Sequence, residues 1–387
     1  MKKNWEVKKL GEVCEFQNGF AFKSKTYKPS GSPILRITNI KNDSLDTNDL
    51  VYFDKKDYKE KFEKYEVFKG DLVIAMSGAT TGKLGVNTTD TVFYLNQRVG
   101  KFLPKKELLK EYLYFYLSTK VEENLKISAG AAQPNLSTEQ IRSFSIPLPT
   151  LPEQRRIVTI LDEAFAAIAT AKENAEKNLQ NARELFESYL QSVFANPGDG
   201  WEEKRLGEVC ELIMGQSPDG STYNTDGIGI PLINGPVEFG SGHFSKTIKS
   251  KFTTAPTKQC KEGDLILCVR GSTTGRTNIA GFDACIGRGV AAIRYTKYQA
   301  WINHYINSIR AKIYKLGTGS TFPNISSAIL ANLLVPFPSL PEQQSIVAKL
   351  DALSAETRKL EAIYQQKLAD LDELKKSVLQ KAFDGEL

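Results

Sequence analysis

The chain is poor in the residues that carry most protein chemistry. It has two histidines, His243 and His304, and neither has another histidine or a cysteine close by in sequence. A metal site built from such ligands would have to draw on distant residues, so no metal site is expected. The five cysteines, Cys14, Cys210, Cys260, Cys268 and Cys285, form no CxxC pair and are odd in number. That argues against a disulfide framework and for a reducing, cytoplasmic setting. No window approaches the roughly 18 uninterrupted apolar residues of a membrane span. The N-terminal MKKNWEVKKLGEV has lysines but no apolar run behind them, so it does not read as a signal peptide. No GxGxxG follows a strand at the start of a helix, and no dinucleotide or S-adenosylmethionine loop is evident. SGATTGK (Ser77–Lys83) has three residues between its glycines instead of four, with Leu84 where a phosphate-binding loop has Ser or Thr. It reads as a strand followed by a glycine-threonine turn. Carboxylates are scattered, with no paired set that recurs. No catalytic residues are expected.

What the chain has in abundance is itself. LGEVCE at Leu10–Glu15 returns at Leu206–Glu211, each copy five residues after a tryptophan, Trp5 and Trp201. GDLVIAMSGATTGK (Gly70–Lys83) is echoed by GDLILCVRGSTTGR (Gly263–Arg276), GAAQPNLS (Gly130–Ser137) by GSTFPNIS (Gly319–Ser326), and IPLPTLPEQ (Ile146–Gln154) by VPFPSLPEQ (Val335–Gln343). The offset falls only from 196 through 193 to 189 along the chain. Two similar modules related by a pseudo-two-fold axis follow, and duplex DNA is the commonest two-fold ligand. With 387 residues, two to three domains fit. The formal charge of +6 permits nucleic-acid binding without demanding it.

The repeat divides the chain into a first globular domain over 1–150, a helix over 151–195, a second domain over 196–339 and a second helix over 340–387. Each domain mixes short β-rich runs, such as DLVIAM (Asp71–Met76) and DLILCV (Asp264–Val269), with a helical run (Glu111–Leu125; Ala300–Ile309), an α+β composition. TLPE and SLPE predict helix starts, with Thr150 and Ser339 capping and Glu153 and Glu342 reaching back. Behind them runs an apolar stripe, Ile157, Leu161, Ile168, Leu179 and Leu185, joined by Ala and Tyr positions between and beyond. Its repeat in the second helix is Ile346, Leu350, Leu353, Leu360, Leu368, Leu371 and Leu374, with Thr357 the one polar exception and no charge on either stripe. Sustained 3/4 spacing predicts coiled-coil packing, and the short connector Ala195–Gly200 favours an antiparallel pair. The expected plan is two similar mixed domains separated by a long antiparallel two-helix coiled coil, pseudo-two-fold and cyclic.

If the domains bind DNA, phosphate anchors should repeat and base readers need not. Lys83 and Arg276 are equivalent, each ending a turn that offers backbone N–H groups. Arg98 and Arg288 are near-equivalent. The non-matching positions Gln17, Asn18, Lys23, Arg36 and Asn39, and Gln216, Asn234 and Arg270, are candidates for sequence readout. FQNGFAF (Phe16–Phe22) could supply aromatic contacts or core.

On the W-x4-LGEVCE openings, the GFAFKS and GQSPDGSTYN runs, the GDL…SG-x-T-x-GK/R turn, the LPEQ junctions and the LQKAFDGEL ending, the chain resembles the DNA-specificity subunits of type I restriction-modification systems. The resemblance implies that the globular domains are target-recognition domains, each reading half of a split, asymmetric target. It implies that the helices set the gap and dock two methyltransferase subunits, and through them restriction-translocation subunits. S-adenosylmethionine, ATP and magnesium would then belong to the partners, and this chain would need no cofactor. A self-sufficient enzyme and a protein-interaction scaffold with no DNA role are the competing readings. The first predicts turnover by the isolated chain, and the second predicts no DNA association.

Overall fold

In the computed structural model, which describes residues 5–41, 44–120, 135–242, 244–318 and 323–387, the chain forms two compact units. One comprises Met1–Ala175 with Gln366–Leu387, the other Glu176–Gln365. Both contain a globular head and segments of two long helices, Leu151–Ala195 and Leu340–Phe383.

The first head is built on two four-stranded sheets. Strands β2 (Cys14–Asn18), β6 (Leu72–Ala75), β7 (Leu84–Val86) and β9 (Val99–Pro104) form an antiparallel sheet in the order β2-β9-β6-β7. Strands β3 (Ser32–Leu35), β4 (Val51–Phe53), β5 (Glu66–Val67) and β8 (Phe93–Leu95) form the second, β4-β3-β8-β5, with β3 and β8 parallel. A two-stranded ribbon joins β1 (Glu6–Lys9) to β10 (Ser145–Leu148). The short apolar runs are wholly buried at β6 and β8 because those strands sit centrally and are covered on both faces.

The second head repeats this pairing: β12 (Glu211–Met214), β20 (Val290–Arg294), β17 (Leu265–Cys268) and β18 (Thr277–Ile279) in that order, and a sheet that gains one edge strand, with β13 (Tyr223–Asn224), β15 (Phe252–Thr253), β14 (Ile230–Ile233), β19 (Ala284–Ile286) and β16 (Gln259–Cys260) in that order and β14 parallel to β19. Its ribbon joins β11 (Glu202–Arg205) to β21 (Leu334–Phe337), with Glu203 opposite Pro336 as Val7 is opposite Pro147. Here too the anchoring is shared. Tyr112 Oη and Trp301 Nε1, both fully buried, donate at 2.9 Å to the carbonyls of Pro147 and Pro336. All five cysteines are buried free thiols, and burial pushes Cys14 and Cys210 up to about 12.

The LPEQ junctions work through their glutamines. Gln154, fully buried, accepts from the N–H of Leu109 (2.8 Å) and donates to the carbonyls of Glu107 (2.8 Å) and Pro149 (2.9 Å), which ties the helix start to its head. Gln343 donates likewise to Pro338 (2.9 Å). Glu153 grips Arg156, and Glu342 accepts from Trp201 Nε1 at 3.0 Å.

Within each unit the helix segments pack antiparallel. In the first unit Ile157 and Leu161 share a core with Leu379 and Ala382, and Lys172 pairs with Asp372. In the second, Phe186 and Leu190 meet Leu350, and Arg183 pairs with Glu361 at 3.1 Å. The stripe read from sequence needs correction. Ile157, Leu161, Ile168 and Leu350 are buried, and Leu179, Ile346, Leu353, Leu368 and Leu371 half-buried, but Leu185, Leu360 and Leu374 are exposed. After Ala182 the first helix buries Phe186 and Leu190 in place of Leu185 and Tyr189. The row of low exposure on the second is Val347, Leu350, Ser354, Thr357, Glu361, Tyr364, Leu368, Leu371, Lys375, Val378 and Ala382. That row keeps strict 3/4 spacing and does carry charge, with Glu361 paired to Arg183 and Lys375 Nζ 4.9 Å from the Phe165 ring. The shift in the first helix has a local cause. Beyond Ala182 it packs against the head as well as the other helix, with Phe186 beside Phe244 and His304. His304 itself is buried and bonds Asp351 at 2.9 Å, and His243 lies outside the described residues.

Candidate nucleic-acid interface

Several repeated motifs prove architectural. In GDL, Gly70 (φ +82°) and Gly263 (φ +91°) turn the chain into β6 and β17. The following aspartate then closes the turn: Asp71 accepts from the N–H of Phe68 (2.9 Å) and Asp264 from that of Lys261 (2.8 Å). Each carboxylate also holds cations, Asp71 taking Lys101 (3.4 Å) and Lys110 (3.2 Å) and Asp264 the fork of Arg294 (2.8 and 2.7 Å). Arg294 is raised above the usual guanidinium range by that bond. Gly19 and Gly215 allow a close backbone crossing, since a Cβ on either would lie 2.1 Å from the carbonyl oxygen of Asn96 or Gly287.

The glycine-threonine turns are alike in both heads. Gly78 and Gly82, and Gly271 and Gly275, all take positive φ, and the buried Thr81 and Thr274 donate to the carbonyls of Gly78 (2.6 Å) and Gly271 (2.8 Å). The N–H groups of Thr81, Gly82 and Lys83, and of Thr274, Gly275 and Arg276, close hydrogen bonds within the turn and to its strand. The turns therefore do not offer those amides to a phosphate, and the expectation that they would is corrected. They present a cation at one fixed place, Lys83 or Arg276, and neither residue enters an ion pair among the described residues.

The backbone register aligns the readers more closely than the letters do. Met76 N–H donates to Arg98 O where Val269 N–H donates to Gly289 O, and Val99 N–H meets Asn96 O where Val290 N–H meets Gly287 O. Arg98 is thus the counterpart of Gly289, and Arg288 that of Gln97. The near-equivalence of Arg98 and Arg288 is off by one residue. Ser77 bridges Asn135 as Arg270 bridges Asn324, and Arg36 follows β3 as Asn234 follows β14.

In the second head Asn234, Arg270 and Arg288 come together, lining with Ser217, Pro218, Tyr223 and Gly289 a cleft of about 570 Å³. Gln216, exposed, lies beside it on the chain. Arg270 Nε reaches Asn324 Oδ1 at 3.5 Å, and the N–H of Arg288 donates to Ser217 Oγ at 3.1 Å. In the first head Gln17 and Asn18 end β2, with Asn18 bonded to Thr138 Oγ1 at 2.9 Å, and Lys23 and Arg98 are exposed. Arg36 donates to the carbonyl of Asp49 at 2.9 Å. Asn39 is not a reader. It is 1% exposed, accepts from the N–H of Arg36 (3.0 Å) and donates to the carbonyls of Asp46 and Asp49, so its amide is consumed in shaping the loop. Glu238, equally buried, does that work in the second head by accepting from the N–H groups of Asn234 and Gly235. Reading from sequence missed Ser217 and Tyr223, which line the cleft, and Ser77 and Gln97, which the pairing register brings into the set. Among the described residues no group of three His, Cys, Asp or Glu could hold a metal, and no helix is long and apolar enough to cross a membrane.

Two heads of one strand plan with different polar tips define a two-site recognition protein. The family model of the type I restriction modification DNA specificity domain matches residues 2–179 and again 198–369. A Methanocaldococcus jannaschii chain named for the MjaX type I restriction enzyme specificity subunit is 29% identical, over 99% of this chain and 94% of that one. The EcoKI specificity subunit of Escherichia coli is 23% identical over 100% and 90%. Among solved structures, one described as the basis of assembly and conformational transition of a type I R-M system aligns with a TM-score of 0.83 at 26% identity, over 99% of this chain and 98% of that one. The HsdS subunit from Thermoanaerobacter tengcongensis aligns with 0.67 at 26% identity, over 99% and 97%. The chain belongs to this family: it is a DNA-specificity subunit of the type I restriction-modification kind, with two recognition domains.

Proposed function

We propose that each head reads one half of a bipartite, asymmetric site in double-stranded DNA and that the chain carries no catalytic step of its own. One observation supports this above the rest. The order and pairing register of the shared strands and the Lys83 and Arg276 turns repeat between the heads, while Arg36, Ser77 and Gln97 of the first stand where Asn234, Arg270 and Arg288 stand in the second. The phosphate backbone is the same under both half-sites and the bases differ, so a repeated frame with non-repeated tips suits that ligand. In this reading the long helices set the gap between half-sites. They also dock two methyltransferase subunits, for which the exposed Leu185, Tyr189, Leu360 and Ile363 supply apolar surface. Restriction-translocation subunits join through that complex, S-adenosylmethionine, ATP and magnesium sit on the partners, and the assembly works in the cytoplasm.

The test is to co-express the chain with its methyltransferase partner and map modified adenines across the host DNA by single-molecule sequencing. The expected result is a bipartite asymmetric motif that disappears when the chain is omitted. A motif that persists without the chain, or none with it, defeats the proposal.

A further inference from the structure

We infer that Arg270 and Arg288 read base edges in the second half-site, at least one of them a guanine, whereas Lys83 and Arg276 hold phosphate. This rests on the DNA reading above and adds which residues decide the sequence. The two guanidiniums line one cleft with Ser217, Tyr223 and Asn234, and no acidic side chain lines it. Neither arginine enters an ion pair among the described residues. On the loop that carries Asn234 the carboxylate of Glu238 is buried and engaged by backbone N–H groups. Two guanidiniums without an ion-pair partner, in a cleft with no acidic lining, call for an acceptor-rich ligand.

Phosphate and base edge both qualify, and the duplication separates them. A phosphate contact is needed under either half-site, so its cation should recur at one structural position, as Lys83 and Arg276 do. A base contact has no reason to recur. Arg270 is matched by Ser77 and Arg288 by Gln97. Guanine presents O6 and N7 in the major groove, two acceptors spaced for one arginine fork, whereas the glutamine amide at Gln97 matches the donor and acceptor of adenine.

The full chain, co-expressed with its methyltransferase, tests this by motif mapping. Arg288→Ala and Arg270→Ala should each relax one position of the same half-site by roughly five- to 150-fold, the lost preference being for guanine at one of the two at least, and leave the other half unchanged. Arg288→Gln should move that preference towards adenine. Lys83→Ala with Arg276→Ala should keep the motif and lower modification across all sites, with a shallower salt dependence. Uniform weakening by both cleft variants with an intact motif overturns the inference, as does a base change caused by Arg276→Ala or a wild-type motif without a G·C pair. Loss of any chain-dependent motif in the wild type brings down the DNA reading beneath it instead.

Discussion

The two heads agree in their backbone and part company on the outer face of the sheet that holds the parallel strand pair. In the first, Phe53 and Tyr94 on that face carry an aromatic cluster: the Phe53 ring lies 4.5 Å from Phe22, 4.8 Å from Phe62 and 5.2 Å from Tyr94. Pairing register puts Thr253 and Cys285 at the matching positions of the second head. There the Thr253 hydroxyl meets that of Thr222 at 2.8 Å, and Cys285 Sγ accepts from the N–H of Thr257 at 3.4 Å. Rings interlock by shape and area, and hydroxyls by a few directed bonds, yet both leave the strands beneath in one register. The ladder of backbone bonds and the inner core set the frame, and the outer face and its loops are free to differ. In a protein with two recognition domains, that is where difference is tolerated.

The largest effect should come from breaking the aromatic cover. Phe53→Ala removes a fully buried ring with four aromatic neighbours, and a loss of about 3–5 kcal/mol is expected from the first unit. Thr253→Ala forfeits the hydroxyl pair with Thr222 and the bond from the N–H of Ala255, and should cost about 1–2 kcal/mol in the second. Hydrogen exchange followed peptide by peptide measures both. Faster exchange should be confined to β3, β4 and β8 in one case and hardly visible in β14, β19 and the Phe252–Thr253 strand in the other. Equal acceleration would mean that the two faces are energetically alike after all.

A middle-sized effect distinguishes the heads at their GD turns. Asp71→Asn leaves Lys101, whose side chain is 8% exposed, with neutral acceptors alone among the described residues, the new amide and the carbonyl of Glu66. Asp264→Asn leaves Arg294, 18% exposed, with Glu211 still at 2.6 Å. Stranding a buried cation is the costlier change, so about 2–3 kcal/mol is expected from the first variant and about 1–2 from the second. Urea denaturation of the two variants checks the order, and a reversed order would show that the second carboxylate near Arg294 carries none of the load.

Much of this was legible in the sequence, because a duplication writes its own alignment. The offsets from 196 to 189 imply matching strand ladders, and matching ladders are found: Leu35 pairs with Leu95 as Ile233 pairs with Ile286. The proline junctions and the 3/4 spacing imply two long helices, and two are found, Leu151–Ala195 and Leu340–Phe383, with segments antiparallel within each unit. The site was harder to read. Letters matched Arg98 to Arg288, but a turn can gain or lose a residue without changing its look, and only the bonds from Met76 and Val269 reveal the slip. Asn39 has the composition of a reader and the burial of a brace, and nothing in its neighbourhood of polar letters separates the two.

The helix stripe failed for a different reason, and it yields the smallest expected effect. In the first unit Ile157, Leu161 and Ile168 are buried as their spacing implies, whereas in the second Leu185 and Leu360 are not. Around Leu360 two adjacent registers are both partly apolar: Leu353, Leu360 and Ile363 in one, and Leu350, Tyr364 and Leu368 in the other. Periodicity alone cannot choose between rows one residue apart, because 3.5-residue spacing fits either. Packing against the head chooses, and it buries Ser354 and Thr357, whose hydroxyls need no outside partner: Thr357 donates to the carbonyl of Leu353 at 3.0 Å within its own helix. Leu360, 39% exposed, can then accept a carboxylate that stays in water. Leu360→Asp should therefore change the unfolding free energy of the chain by no more than about 0.5 kcal/mol, the range of an ordinary surface change. A loss of several kcal/mol in thermal or urea unfolding would place Leu360 in the seam and restore the stripe as the sequence first suggested it.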